Sequence, residues 1–143
     1  MKTIFFLKNC KKFKWFLIDC TNRKLGNLAV ITSTILLNKN MHSNKITKII
    51  IINTNKIEVS GKKESKKVYY KFTDRPGNLK KDTFLKLKKK NSNKIVEKAI
   101  IGMLPKTRIR QILSKNIYFF HNAFYLYNKF DITDIKNKDV TKI

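Results

Sequence analysis

Lys62, Lys63, Lys66, Lys67, Lys71 and Arg75 flank Tyr69, Tyr70 and Phe72, so cations and aromatic rings are interleaved through one short stretch of chain. Lysine and arginine neutralise phosphates, and exposed aromatic rings stack on unpaired bases. Together they have the chemistry of a nucleic-acid surface. Alternation along an extended segment turns one of Tyr69 and Tyr70 toward a core, and Tyr70 is the ring assigned to RNA. A second basic group, Lys106, Arg108 and Arg110, follows Gly102-Met103-Leu104-Pro105, where a helix start adds backbone N–H groups to the side-chain cations. Arg23, Lys24 and Lys80 complete the candidate RNA-binding set.

Other chemistries lack their residues. A nucleophilic triad needs a basic histidine beside a Ser or Cys, and neither His42 nor His121 lies in a nucleophile-elbow pattern, so no catalytic residue is expected. Gly61-Lys62 lacks the earlier glycine of a phosphate-binding loop, since position 56 is Lys. Asp19, Glu58, Glu64, Asp74 and Glu97 read as helix caps or local counter-charges. Cys10 and Cys20 form no Cys-x-x-Cys pair, and with the two histidines they match no zinc spacing. No metal, cofactor or small-molecule substrate is expected, and a reducing compartment is the default.

The composition explains why the basic residues dominate. The 33 Lys and Arg against 9 Asp and Glu give a net charge of +24, far beyond the roughly 2 to 8 that keeps a small domain soluble. Such a chain repels itself unless a polyanion neutralises it. The lysines run through nearly the whole sequence rather than forming one juxtamembrane cluster, which argues against a membrane partner. With 42% hydrophobic residues, including 10 Phe and 5 Tyr, the chain has the apolar surface for one folded domain rather than a disordered tail. Ile4-Phe5-Phe6-Leu7 is too short for a signal peptide and is followed at once by lysines, so residues 1–14 read as a basic arm. The abundance of Lys, Asn and Ile, whose codons are rich in A and T, points to an AT-rich genome, that of a reduced bacterium or of an organelle.

The elements that must position these residues follow from periodicity. Trp15-Phe16-Leu17-Ile18 reads as a buried strand, and Arg23 or Lys24 to Leu37 as an amphipathic helix opened by Asp19 or Thr21. Lys48–Ile52 is a second apolar strand, so the strand-helix-strand order indicates a parallel crossover in an α/β sheet. Gly61 marks a turn, Lys66–Phe72 an extended segment and Asp74–Asn78 a loop. A short helix from Thr83 to Lys90 breaks at Asn91. Ser92 caps a further helix that ends before Pro105. Lys106–Lys115 is a last short helix with Ile109, Ile112 and Leu113 turned inward, and Ile117–Phe120 returns as a strand. Residues 15–120 form the domain, and 121–143 a tail packed on the domain or on RNA.

Several of these segments together resemble one family. They are Trp15 to Thr21 leading to Leu25-Gly26-Asn27-Leu28-Ala29, Asn53 through Lys56-Ile57-Glu58-Val59-Ser60-Gly61-Lys62, Lys67-Val68-Tyr69-Tyr70, and Ala99 through Gly102-Met103-Leu104-Pro105-Lys106. In this order they resemble the L-thirteen family of large-subunit ribosomal proteins in its bacterial and organellar form. The resemblance implies a three-layer α/β/α single domain around a small, mainly parallel sheet with basic extensions. It also implies a structural, non-catalytic role, binding ribosomal RNA beside neighbouring ribosomal proteins and supporting subunit assembly. Asn27 stands where the family usually has Arg, and Ile109-Arg110-Gln111 replaces its Leu-Gly-Arg. The rival reading of the same basic surface is an RNA-processing or RNA-modifying enzyme, which requires an acid-base pair or cofactor loop not found here.

Overall fold

The computed structural model describes residues 13–42, 46–123 and 132–134. Along the chain run β1 (Phe13–Asp19), α1 (Leu25–His42), β2 (Ile46–Ile52), a 3-10 turn (Thr54–Lys56), α2 (Lys63–Lys66), β3 (Val68–Phe72) and β4 (Leu79–Thr83). Then follow α3 (Phe84–Met103), α4 (Arg108–Ser114), β5 (Ile117–Phe119) and β6 (Ile132–Asp134). The main sheet has the order β5-β2-β1-β6, and its pairings are all parallel. Its register sets Phe16 opposite Ile49 and Ile18 opposite Ile51. The expected α/β architecture is therefore present: a small parallel sheet flanked by helices, with β3 and β4 as a separate antiparallel hairpin.

The unbroken apolar runs have a structural cause. Phe16, Ile18, Ile49 and Ile51 face the helices and join Leu28, Leu36, Phe84, Ile95 and Ile100 in the main core. Their neighbours Trp15, Ile50 and Ile52 point to the opposite face and form a second cluster with Leu17, Tyr118 and Phe120. Strand side chains alternate between faces, so strands covered on both sides read as continuous apolar runs rather than alternating ones. On the second face, Lys48 Nζ lies 4.1 Å from the Phe13 ring centroid and 4.9 Å from that of Trp15, which lets its charge rest against π faces.

Helix α1 buries Leu25, Leu28, Ala29, Thr32, Ile35 and Leu36. Thr32 occupies a core position because its hydroxyl is satisfied by its own helix, donating to Leu28 O at 2.7 Å. The expectation that Asp19 or Thr21 opens this helix is corrected. Asp19 Oδ1 accepts from Thr21 N at 2.9 Å, Thr21 Oγ1 at 2.7 Å and Asn53 Nδ2 at 2.9 Å, and so closes the loop ends of β1 and β2. The first helical N–H, that of Leu25, donates instead to Glu58 O at 2.8 Å. Burial works against the Asp19 charge, but these hydrogen bonds and nearby Arg23 outweigh it and hold the carboxyl below its ordinary 3.8. The loop is therefore stabilised at neutral pH, and that contribution is lost as pH falls through the lowered value.

The predicted break at Asn91 is present: its φ of −163° and ψ of 93° kink α3. Ser92 serves a different purpose from the one expected. Its buried hydroxyl meets Thr54 Oγ1 at 2.8 Å, donates to Asn55 Oδ1 at 2.6 Å and lies 2.9 Å from His121 Nδ1. The kink turns this side chain into a latch between the turn after β2, the second half of α3 and the end of β5. Ser92→Ala removes these three contacts, and although exposed Asn55 and His121 can turn to water, buried Thr54 loses a partner, so the change should cost about 0.5–1.5 kcal/mol. Chemical denaturation checks it, and a change below about 0.5 kcal/mol would show that the latch carries nothing.

One further expectation changes. Ile109 and Ile112 are exposed, and only Leu113 of the three is buried, because α4 meets the core through that one side chain and Ile112, one residue earlier on the helix, is turned away from it. Of the predicted tail, Ile132–Asp134 forms β6 against β1, a strand too short to show periodicity. Residues 124–131 and 135–143 of that tail, and 1–12 of the predicted arm, lie outside the described residues, while Phe13 and Lys14 belong to β1.

Cys20 is a free, fully buried thiol at the end of β1. Burial, aided by the Asp19 charge and opposed by Arg23, pushes its pKa from 9.0 to about 12. The neutral thiol thus favours the fold up to pH 9.0, and this contribution is lost as pH rises toward about 12. Because the thiolate is the nucleophile, iodoacetamide at about pH 8 should leave Cys20 unmodified until the protein is unfolded. Peptide mass mapping reads this directly, and rapid labelling of the folded protein would contradict the burial.

Candidate nucleic-acid interface

The first basic site is built by a turn that only a few residues allow. Gly61 has φ +63°, a left-handed conformation that a side chain resists, and it swings the chain from Ser60 into α2. Lys63 Nζ donates to Ser60 Oγ at 3.2 Å, and Ser65 Oγ donates to Lys62 O at 3.2 Å, which fixes the turn from both sides. The result is an open concavity of about 510 Å³ lined by Ser60, Gly61, Lys62, Lys63, Lys66 and Lys67. All four lysines are exposed. Sequence reasoning named each of them, and the fold brings them to one hollow.

The second site lies beyond the other end of α3. Buried Leu104 anchors the chain after the helix, Pro105 ends it, and Thr107 N donates to Pro105 O at 2.8 Å to form the turn into α4. Lys106, Thr107, Arg108, Arg110 and Gln111 line a concavity of about 500 Å³. This contains the whole second predicted group. Part of the expected backbone contribution is already used, since Arg110 N donates to Thr107 O at 3.0 Å.

The hairpin β3–β4 carries the interleaved aromatics. Tyr69 is the half-buried member of its pair, its ring 6.5 Å from that of Phe84, with Lys67 Nζ and Lys98 Nζ 5.3 Å and 5.2 Å from its centroid. Burial raises the pKa of its hydroxyl. Tyr70 is exposed, as its assignment to RNA requires. Lys71 and Lys80 are paired across the ladder, and Arg75 sits in the connecting turn, where Gly77 takes φ +74°.

Arg23 and Lys24 line neither concavity. Arg23 is half-buried beside Asp19, and its carbonyl accepts from Glu58 N at 3.1 Å, while exposed Lys24 pairs with Glu58 as an isolated bridge. Lys81 and Phe72 lie on the same hairpin outside the candidate RNA-binding set, although Phe72 is one of the interleaved aromatics. The signal for them lay in the two segments that meet across Pro76-Gly77-Asn78, where Tyr70 faces Lys81 and Phe72 faces Leu79. Among the described residues there is no group of three His, Cys, Asp or Glu that could hold a metal ion, and no helix long and apolar enough to cross a membrane.

An arrangement of two cationic hollows and a basic ribbon suits phosphate binding. Residues 13–125 match the family model described as Ribosomal protein L13. A protein of Synechococcus sp. (strain JA-3-3Ab) named large ribosomal subunit protein uL13 is 37% identical over 112 residues, covering 73% of this chain and 74% of its own. The proteins of that name from Synechocystis sp. (strain ATCC 27184 / PCC 6803 / Kazusa) and Mycoplasmopsis synoviae (strain 53) are 42% and 38% identical, covering 71% and 75% of this chain and 72% and 78% of theirs. With a match that runs from the first residue of β1 past the end of β5, and with bacterial relatives this similar over most of both chains, the chain belongs to the ribosomal protein L13 family, uL13.

Proposed function

We propose that this protein is held in its subunit by neutralising phosphates of large-subunit ribosomal RNA at the two hollows and along the hairpin. As a uL13 protein it is a structural, non-enzymatic constituent of the large ribosomal subunit. The observation that carries the RNA reading is the clustering of cations, all exposed except the half-buried Arg110. Lys62, Lys63, Lys66 and Lys67 line one concavity, and Lys106, Arg108 and Arg110 line another. Lys71, Arg75 and Lys80 extend the first along the hairpin, Tyr70 adds a ring, and Arg23 and Lys24 supply a separate contact. Through these groups the protein supports subunit assembly and translation next to neighbouring large-subunit proteins. The host ribosome is that of a bacterium with an AT-rich genome, with a plastid or mitochondrial ribosome as the alternative setting.

Binding of the full chain to large-subunit ribosomal RNA across a salt series tests this. Affinity should fall linearly on a log-log plot, with a slope of about −0.7 to −0.9 per phosphate neutralised. Binding that ignores salt, or anionic vesicles competing as well as RNA, would overturn it.

A further inference from the structure

We propose that the outward face of the β3–β4 hairpin is a stacking platform for unpaired nucleotides of ribosomal RNA, with Tyr70 and Phe72 as the stacking rings. The inference rests on the RNA reading above and adds to it the kind of RNA and the residues that read it. In an antiparallel ladder, directly paired residues share a face. The pairs Tyr70–Lys81 and Phe72–Leu79 therefore stand on one side, and Tyr69–Asp82 and Lys71–Lys80 on the other. The Tyr69 side is turned inward at its base, where that ring packs on Phe84. The opposite side has no such cover: Tyr70 is 58% exposed, Phe72 63% and Leu79 50%.

Spacing and charge identify the occupant. Two residues along an antiparallel strand advance roughly 6.8 Å, twice the roughly 3.4 Å rise between stacked bases, so successive same-face rings are spaced to take one base between them. Lys81 Nζ lies 5.8 Å from the Tyr70 ring centroid, close enough to meet the phosphate of a stacked nucleotide. Lys71 and Lys80 face each other directly, a like-charge pair that destabilises a hairpin until a polyanion lies against it. A protein partner fits less well, because the cores of protein interfaces are depleted in lysine, and here Lys81 interrupts the apolar face. A ribbon with rings on one side and paired cations on the other suits a loop or bulge, whose bases are splayed and whose backbone bends around the strand pair.

The test is chemical probing of large-subunit ribosomal RNA with the full chain, comparing the wild type with the double variant Tyr70→Leu, Phe72→Leu and with the ring-keeping variant Tyr70→Phe, Phe72→Tyr. Wild type and the ring-keeping variant should protect the same few unpaired bases. The leucine variant should lose those protections and about 10- to 100-fold in affinity, with the salt slope unchanged. Ultraviolet crosslinking of the wild type at Tyr70 or Phe72 to an unpaired base gives the same answer without a variant. Unchanged protections and affinity in the leucine variant, or a face that crosslinks only to another ribosomal protein, would overturn the platform while leaving phosphate binding intact. Absence of any RNA binding by the wild type would overturn both readings together.

Discussion

Replacing Lys62, Lys63, Lys66 and Lys67 together by Gln should lower affinity for large-subunit ribosomal RNA by about 10³-fold near 0.1 M salt and flatten the salt slope by about 3 to 4. The size follows from counterion release. Each phosphate neutralised contributes nearly one unit of slope, and four cations around one concavity of about 510 Å³ act on one stretch of backbone. Phosphate contacts carry no sequence information, so the preference among RNA segments should persist. The lysines are exposed, and α2 has no buried residue, so the fold should melt as before. A salt titration of both proteins reads all three outcomes. An unchanged slope would show that the hollow faces solvent, and a changed preference would assign these side chains to base recognition.

The other large effect is expected at Phe84. Its side chain is fully buried at the first position of α3, its N–H donates to Lys67 O at 2.9 Å, and its ring packs on Tyr69. One residue thus fastens the basic hairpin and the start of the helix to the core behind the sheet. Phe84→Ala removes a large side chain from a packed interior and should cost about 3–5 kcal/mol, a large part of the roughly 5–15 kcal/mol by which domains are stable. Denaturant melts give this as a lower midpoint with the same dependence on denaturant. The more conservative Phe84→Leu should lose clearly less. A loss below about 1 kcal/mol in the alanine variant would contradict a closed core at this point.

These cases also show what the residues reveal before folding. The parallel β1–α1–β2 unit was legible because its apolar runs and helical spacing are local and have few alternative uses. So were the two basic groups, since Gly61 and Pro105 mark the turns that curve the chain around them. What sequence reasoning missed depends on contacts between distant segments. Leu79–Thr83 reads Leu-Lys-Lys-Asp-Thr and has little strand propensity of its own, yet it pairs with β3. Ser92 has the residue type of a helix cap, but partners at 54, 55 and 121 claim its hydroxyl. Periodicity put Ile109, Ile112 and Leu113 on an inner face of α4 without showing that the helix reaches the core only at Leu113. Asp19 likewise ties the end of β1 to the turn after β2, because Asn53 is brought beside it by the sheet register.

Sedimentation of native extract through density gradients in moderate and then high salt, followed by detection of this chain, tests the central claim most directly. Large-subunit membership held by phosphate contacts predicts that the protein travels with the large subunit in moderate salt and is released as salt rises. Migration as free protein in both gradients would contradict it.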